Sequence, residues 1–300
     1  MRPATLATAL LVLALALVAG AAATPQRTSA GGEVTNIFVA PANGGRAVRV
    51  TNNAEPADEI FAYFPSWSPD AKRIVFSEFP CDGCRPEIHV IGARPARGKN
   101  WLGRPIGYGR YPRWSPSGKL IAFVDASGGV YVMRADGSHR RLITKGGLAA
   151  DGPSWSPDGK RIVFARQESA VRWRLYTVST NSGHLRALTS GRVPALNPAW
   201  SPDGRRIAFA QEFGRWQIFT IKPDGRSRAR ISNGRASETF PTWSPNGRRL
   251  AFVRQVGSST AVFTIRVDGR GPRRLSPRSM MALQPAWSPD GRRIAFAGDR

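Results

Sequence analysis

One phrase recurs six times in this chain of 300 residues, and it leaves few folds open. It reads Pro-x-Trp-Ser-Pro-x-x-(Lys/Arg)-x-(Ile/Leu)-(Val/Ala)-Phe and centres on Trp67, Trp114, Trp155, Trp200, Trp243 and Trp287. The tryptophans are 47, 41, 45, 43 and 44 residues apart. A period of this length, built on strand-forming residues and tight turns, is that of a β-propeller blade.

The fourth copy shows what one repeat encodes. Trp200 ends a short strand, and Ser201-Pro202-Asp203-Gly204 turns the chain. Proline presets φ for the turn, and glycine accepts the left-handed geometry on re-entry. Arg206 to Ala210 and Trp216 to Ile221 are rich in Ile, Phe and Trp and read as the second and third strands. Pro223-Asp224-Gly225 turns again, and Arg228 to Ser232 forms a polar fourth strand. The strands alternate only weakly, as expected of sheets packed on both faces. Six tryptophans at one repeat position predict packing between blades.

The two ends of the sequence predict closure. Ala286 to Ala297 carries strands one and two of a blade, and Asn36 to Thr51 resembles strands three and four. Joined, they complete a sixth sheet and remove exposed edges. The fold expected is all-β: a six-bladed β-propeller over 35–300, closed by pairing N- and C-terminal strands in one blade. Residues 1–23 read as a signal peptide, with Arg2, the apolar run Leu6 to Val18 and the small residues Ala21-Ala22-Ala23. Residues 24–34 are a polar linker. This predicts an extracytoplasmic protein, periplasmic or secreted, that meets a membrane only if the leader is retained.

Charge and cysteines bound the chemistry. The formal net charge is +24, and arginine outnumbers lysine 38 to 6. Such a surface attracts acidic polymers, although many arginines simply follow the repeated turns. The two cysteines, Cys81 and Cys84, lie in a Gly/Pro-rich loop, where an exported chain is expected to form a loop-stapling disulfide. His89, His139 and His184 show no metal-ligand spacing, and neither a nucleophile elbow nor a phosphate-cradling glycine loop occurs. No metal, no cofactor and no catalytic residue is expected.

In a propeller the loops between strands two and three share one face with those that lead to the next blade. Their irregularity marks that face for recognition. Counting eleven residues past each tryptophan gives Glu78, Asp125, Arg166, Gln211, Arg254 and Gly298, six unlike residues. Tyr63, Tyr108, Asp151, Arg172, Arg192, Glu212, Arg215 and Glu238 are further rim candidates.

The phrases Pro198 to Phe209 and Gln217 to Gly225 resemble the WD-like repeats of TolB-type propellers. The likeness extends over about 35–300 and departs in detail at Ala71, Ser117 and Asn246, and in the stretch Ala93 to Gly109, which lacks a clear fourth strand. The six chemically unlike loops point to a non-catalytic, monomeric binding propeller that engages a protein or peptide in the cell envelope through its irregular face; nucleic acid is not an expected partner. An alternative is a cell-surface module for polyanions or carbohydrate. Another is a lyase or hydrolase with its site in the axial channel.

Overall fold

A computed structural model describes residues 35–51, 60–80, 83–93, 104–144 and 149–299. The leader and linker expected over 1–34 lie outside the described residues, as does Cys81. Six four-stranded antiparallel sheets follow one another around a ring. In the fourth sheet the strands are Ala195–Trp200, Ile207–Glu212, Trp216–Ile221 and Ala229–Arg230, paired in sequence order. The first strands of successive sheets touch and surround the axis, whereas the short fourth strands are largely exposed.

The recurring turn is held by its own side chains. Ser201 Oγ accepts the Arg206 N–H at 2.9 Å and donates to Asp203, while the Gly204 N–H closes the turn on the Ser201 carbonyl at 2.9 Å. The Asp203 carboxylate accepts the Arg205 N–H at 3.0 Å. Ser117 and Asn246 supply the same acceptors in their copies, and Ala71 takes the glycine position at φ 57°. The departures from the phrase therefore leave the turn intact.

Each second strand contributes one fully buried phenylalanine: Phe76, Phe123, Phe164, Phe209, Phe252 and Phe296. The tryptophans join blades. Trp67, Trp155 and Trp243 donate their indole N–H to the carbonyls of Ala286, Arg113 and Ala199 in the preceding blade, at 3.0–3.1 Å. In the first blade the stretch read as lacking a fourth strand supplies a two-residue one, Gly107–Tyr108, opposite Glu87 and Ile88.

The sixth sheet has the order Val48–Arg49, Asn36–Pro41, Arg293–Gly298, Ala282–Trp287. Ile37 stands opposite Ala297, and Phe38 opposite Phe296 with ring centroids 6.0 Å apart. Second and third strands of this blade thus come from remote parts of the sequence, where every other blade uses a hairpin.

Candidate functional site

Two surfaces of the ring are chemically distinctive. The first is the axis. Every first strand slips register three residues before its tryptophan, and the residue there has positive φ: Phe64, Tyr111, Gly152, Asn197, Phe240 and Gln284. A proline follows each one. Proline cannot donate to a ladder, so it brings no unpaired amide of its own to the bulge. That proline is the sequence signal that could have located the axial residues, which the reading of the repeat missed.

These six positions meet at the centre. Phe64 and Tyr111 rings lie 4.2 Å apart, and Phe240 stands 6.4 Å from Phe64. The Phe64 N–H donates to Gln284 Oε1 at 2.9 Å. Asp151 Oδ2 accepts both the backbone N–H and the side-chain N–H of Asn197 at 3.0 Å. Arg113 Nη1 donates to the carbonyls of Phe64, Pro65 and Pro112 at 3.2–3.3 Å.

Burial governs the protonation of this group. It pushes the Asp151 carboxyl up, against the hydrogen bonds from Asn197 and Tyr111 and the charge of Arg113. It pushes the Tyr111 phenol well up, with the neighbouring Asp151 charge acting the same way. It lowers Arg113 to about 10, so the guanidinium stays charged at neutral pH. A cavity of about 250 Å³ opens next to this plug on the side of the repeated turns, bordered by Tyr111, Arg113, Asn197, Phe240, Gln284 and the Pro-x-Trp segments. Asp151 does not border it. Its Oδ2 holds Asn197, and Arg113 adds an attractive charge.

The second surface is the face of the two-to-three hairpins. Three of the six exposed large apolar side chains of the described residues are tips or tip neighbours on consecutive blades: Val171 (77% exposed), Phe213 (46%) and Val256 (40%). Val171 and Phe213 lie between the paired strands of the third and fourth blades, and Val256 ends the second strand of the fifth. Arg172, Arg192, Glu212 and Arg215 are exposed beside them, and Arg215 Nη1 donates to the Arg235 carbonyl at 3.1 Å.

The remaining rim candidates fall elsewhere. Glu78, Arg166, Gln211, Arg254 and Gly298 are strand residues, paired with the next strand or, in the closing blade, with Asn36. The second strands run longer than the phrase suggested, which carries these positions into the sheet. Glu78 and Gln211 are buried, and so is Asp125, which pairs with Arg140 at 2.6 Å. Arg254 pairs with the fully buried Glu238 at 2.6 Å. Tyr63, Asp151 and Glu238 belong to first strands and are buried there rather than displayed on a rim. Tyr108 is exposed but sits on a fourth strand, under the Arg85 guanidinium at 4.6 Å.

Fold and faces together define a closed six-bladed propeller with a sealed axis and one face of mixed apolar and basic hairpin tips. The chain matches the family model of the TolB beta propeller domain over residues 26–192 and 185–300, and it belongs to that family. Among solved structures it is similar to a TolB-type protein from Agrobacterium tumefaciens, at 24% identity and TM-score 0.73 over 91% of this chain and 99% of that one. TolB from Acinetobacter baumannii is similar at 20% identity and TM-score 0.66, over 85% of this chain and 66% of that one. Oligogalacturonate lyase from Vibrio parahaemolyticus shares the fold at 12% identity and TM-score 0.56, over 90% and 98% of the two chains. A comparison with curated proteins finds no match.

Proposed function

We propose that this protein is an exported, non-catalytic propeller that binds a protein partner through its hairpin-tip face. The observation that carries the reading is the trio Val171, Phe213 and Val256, exposed on three consecutive blades beside Arg172 and Arg215. Exposed apolar side chains grouped on one face mark interaction sites, and the surrounding positive charge selects an acidic partner with apolar anchors. Membership of the TolB propeller family supports a binding role over a catalytic one. Within the same proposal the leader is removed after Ala23, Cys81 and Cys84 form a disulfide, and the protein acts outside the cytoplasm as a monomer.

Pull-down from envelope extract tests the reading. A protein retained by the wild type and lost on Val171→Asp/Phe213→Asp/Val256→Asp supports it, provided the variant keeps its thermal stability. Recovery undiminished by the triple variant contradicts it. The net charge of +24 favours a second reading, a surface for acidic polymers. That reading requires binding to such a polymer that weakens steeply with salt and survives the triple variant.

A further inference from the structure

Apart from the Val171, Phe213 and Val256 trio, the first blade gathers three metal-ligating side chains on one side of its two-to-three hairpin. Glu78, next to last in the second strand, stands directly opposite Glu87 on the third, and His89 follows two residues later on the same side. His89 Nε2 lies 3.0 Å from Glu87 Oε2 and 3.4 Å from Glu78 Oε2. One ligand atom from each of the three residues falls within 4.8 Å of the others. The imidazole is buried and stacks on Phe76 with centroids 5.8 Å apart, which fixes its direction. We infer that Glu78, Glu87 and His89, converging on this face of the hairpin, bind a single divalent transition-metal cation, Zn²⁺ before Mn²⁺.

Two arguments support the assignment. An imidazole Nε2 carries at most one proton, whereas two carboxylate oxygens face it here. A divalent cation in place of that proton binds both carboxylates and the nitrogen lone pair together. The spacing also fits. Ligand atoms about 2.1 Å from a shared metal stand roughly 3.0–3.4 Å apart in octahedral or tetrahedral arrangements. Those are the separations at His89 Nε2.

One nitrogen and two carboxylates suit Zn²⁺ or Mn²⁺ better than the oxygen-only preference of Ca²⁺ or Mg²⁺. The ion enters past Glu87, whose side chain is 26% exposed. In this position it clamps the base of the loop that carries Cys84. The inference does not depend on the protein-binding reading, and either can fail alone.

Calorimetry and thermal melts with ZnCl₂ on tag-free mature protein test it. One Zn²⁺ per chain is expected. A hundredfold excess over Kd should raise Tm by about 5 °C. Glu87→Gln should weaken binding at least tenfold while leaving the metal-free Tm almost unchanged, and Cys81→Ser/Cys84→Ser should leave binding intact. Absent one-to-one binding overturns the inference. So does binding undiminished in Glu87→Gln, or binding lost with the thiols. Should Glu87→Gln fail to fold, spin-echo spectra of Mn²⁺ bound to the wild type decide: modulation from one imidazole nitrogen is expected, and its absence overturns the assignment.

Discussion

Asp151 offers the sharpest test of the sealed axis. Its side chain is fully buried, and its Oδ2 holds two donors of Asn197 at 3.0 Å each. Asp151→Ala strands both donors and leaves the Arg113 charge without its carboxylate. Hydrogen bonds to a charged group contribute about 1.5–3 kcal/mol each, and removing one partner of a buried charged network costs about 3–5 kcal/mol. The expected loss is therefore about 3–5 kcal/mol, or a Tm drop on the order of 10 °C.

Asp151→Asn keeps an acceptor for the Asn197 amide and removes the buried charge, so its loss should be clearly smaller. Its pH dependence follows from the raised carboxyl. In the folded wild type the carboxylate takes up a proton at higher pH than in the unfolded chain. As pH falls from 7 through the folded value, the wild type therefore gains stability relative to Asp151→Asn. Chemical denaturation followed by tryptophan fluorescence at pH 7 and pH 5 measures both effects. An Asp151→Ala protein within about 1 kcal/mol of wild type at pH 7 would refute the reasoning, since a surface carboxylate would behave that way.

Two further outcomes follow from the turns. Gly137 has φ 88°, and a Cβ there would meet the Ile106 carbonyl oxygen at 2.1 Å, whereas Gly159 at φ 67° has open space around it. Gly137→Ala should cost well over 2 kcal/mol and Gly159→Ala only about 1 kcal/mol by thermal denaturation. Ser201→Ala removes the acceptor of the Arg206 N–H and should cost about 1 kcal/mol. The same hydroxyl type, at Ser156, Ser201 and Ser288, is the main cause holding Asp158, Asp203 and Asp290 below the usual carboxylate range. Their stabilisation is present above the unfolded value near 4 and fades as pH falls through the folded values, so acid titration should show a loss below about pH 4 that is shallower in Ser201→Ala.

Much of this architecture was legible because the repeat spells out its own turns. Ser, Pro, Asp and Gly each have a visible task in the hairpin between strands one and two, and the second-strand phenylalanines mark the core. The axial residues were less legible. Phe64, Tyr111, Gly152, Asn197, Phe240 and Gln284 share a backbone conformation but no side-chain chemistry, so only the following proline betrays them. Arg172, Arg192, Glu212 and Arg215 stand exposed on the expected face, whereas the residues counted from each tryptophan do not, for a similar reason. An offset of eleven from each tryptophan fixes position along the strand, but not how far the strand continues, and Glu78 and Gln211 stay within it. Buried Asp151 and Glu238 look like surface residues in the sequence because their partners, Asn197 and Arg254, are 46 and 16 residues away.

Every assignment of a loop to a face depends on the ring being closed by strands from the two ends of the described chain. A double-mutant cycle on Phe38 and Phe296 measures that directly. Their rings sit 6.0 Å apart across the closing pair, as Phe252 and Phe263 sit 6.2 Å apart in a local hairpin. A closed ring predicts a coupling of about 0.5–1.5 kcal/mol for Phe38→Ala with Phe296→Ala, matching the Phe252–Phe263 cycle. Additive losses at Phe38 and Phe296, alongside clear coupling in the hairpin pair, would contradict it.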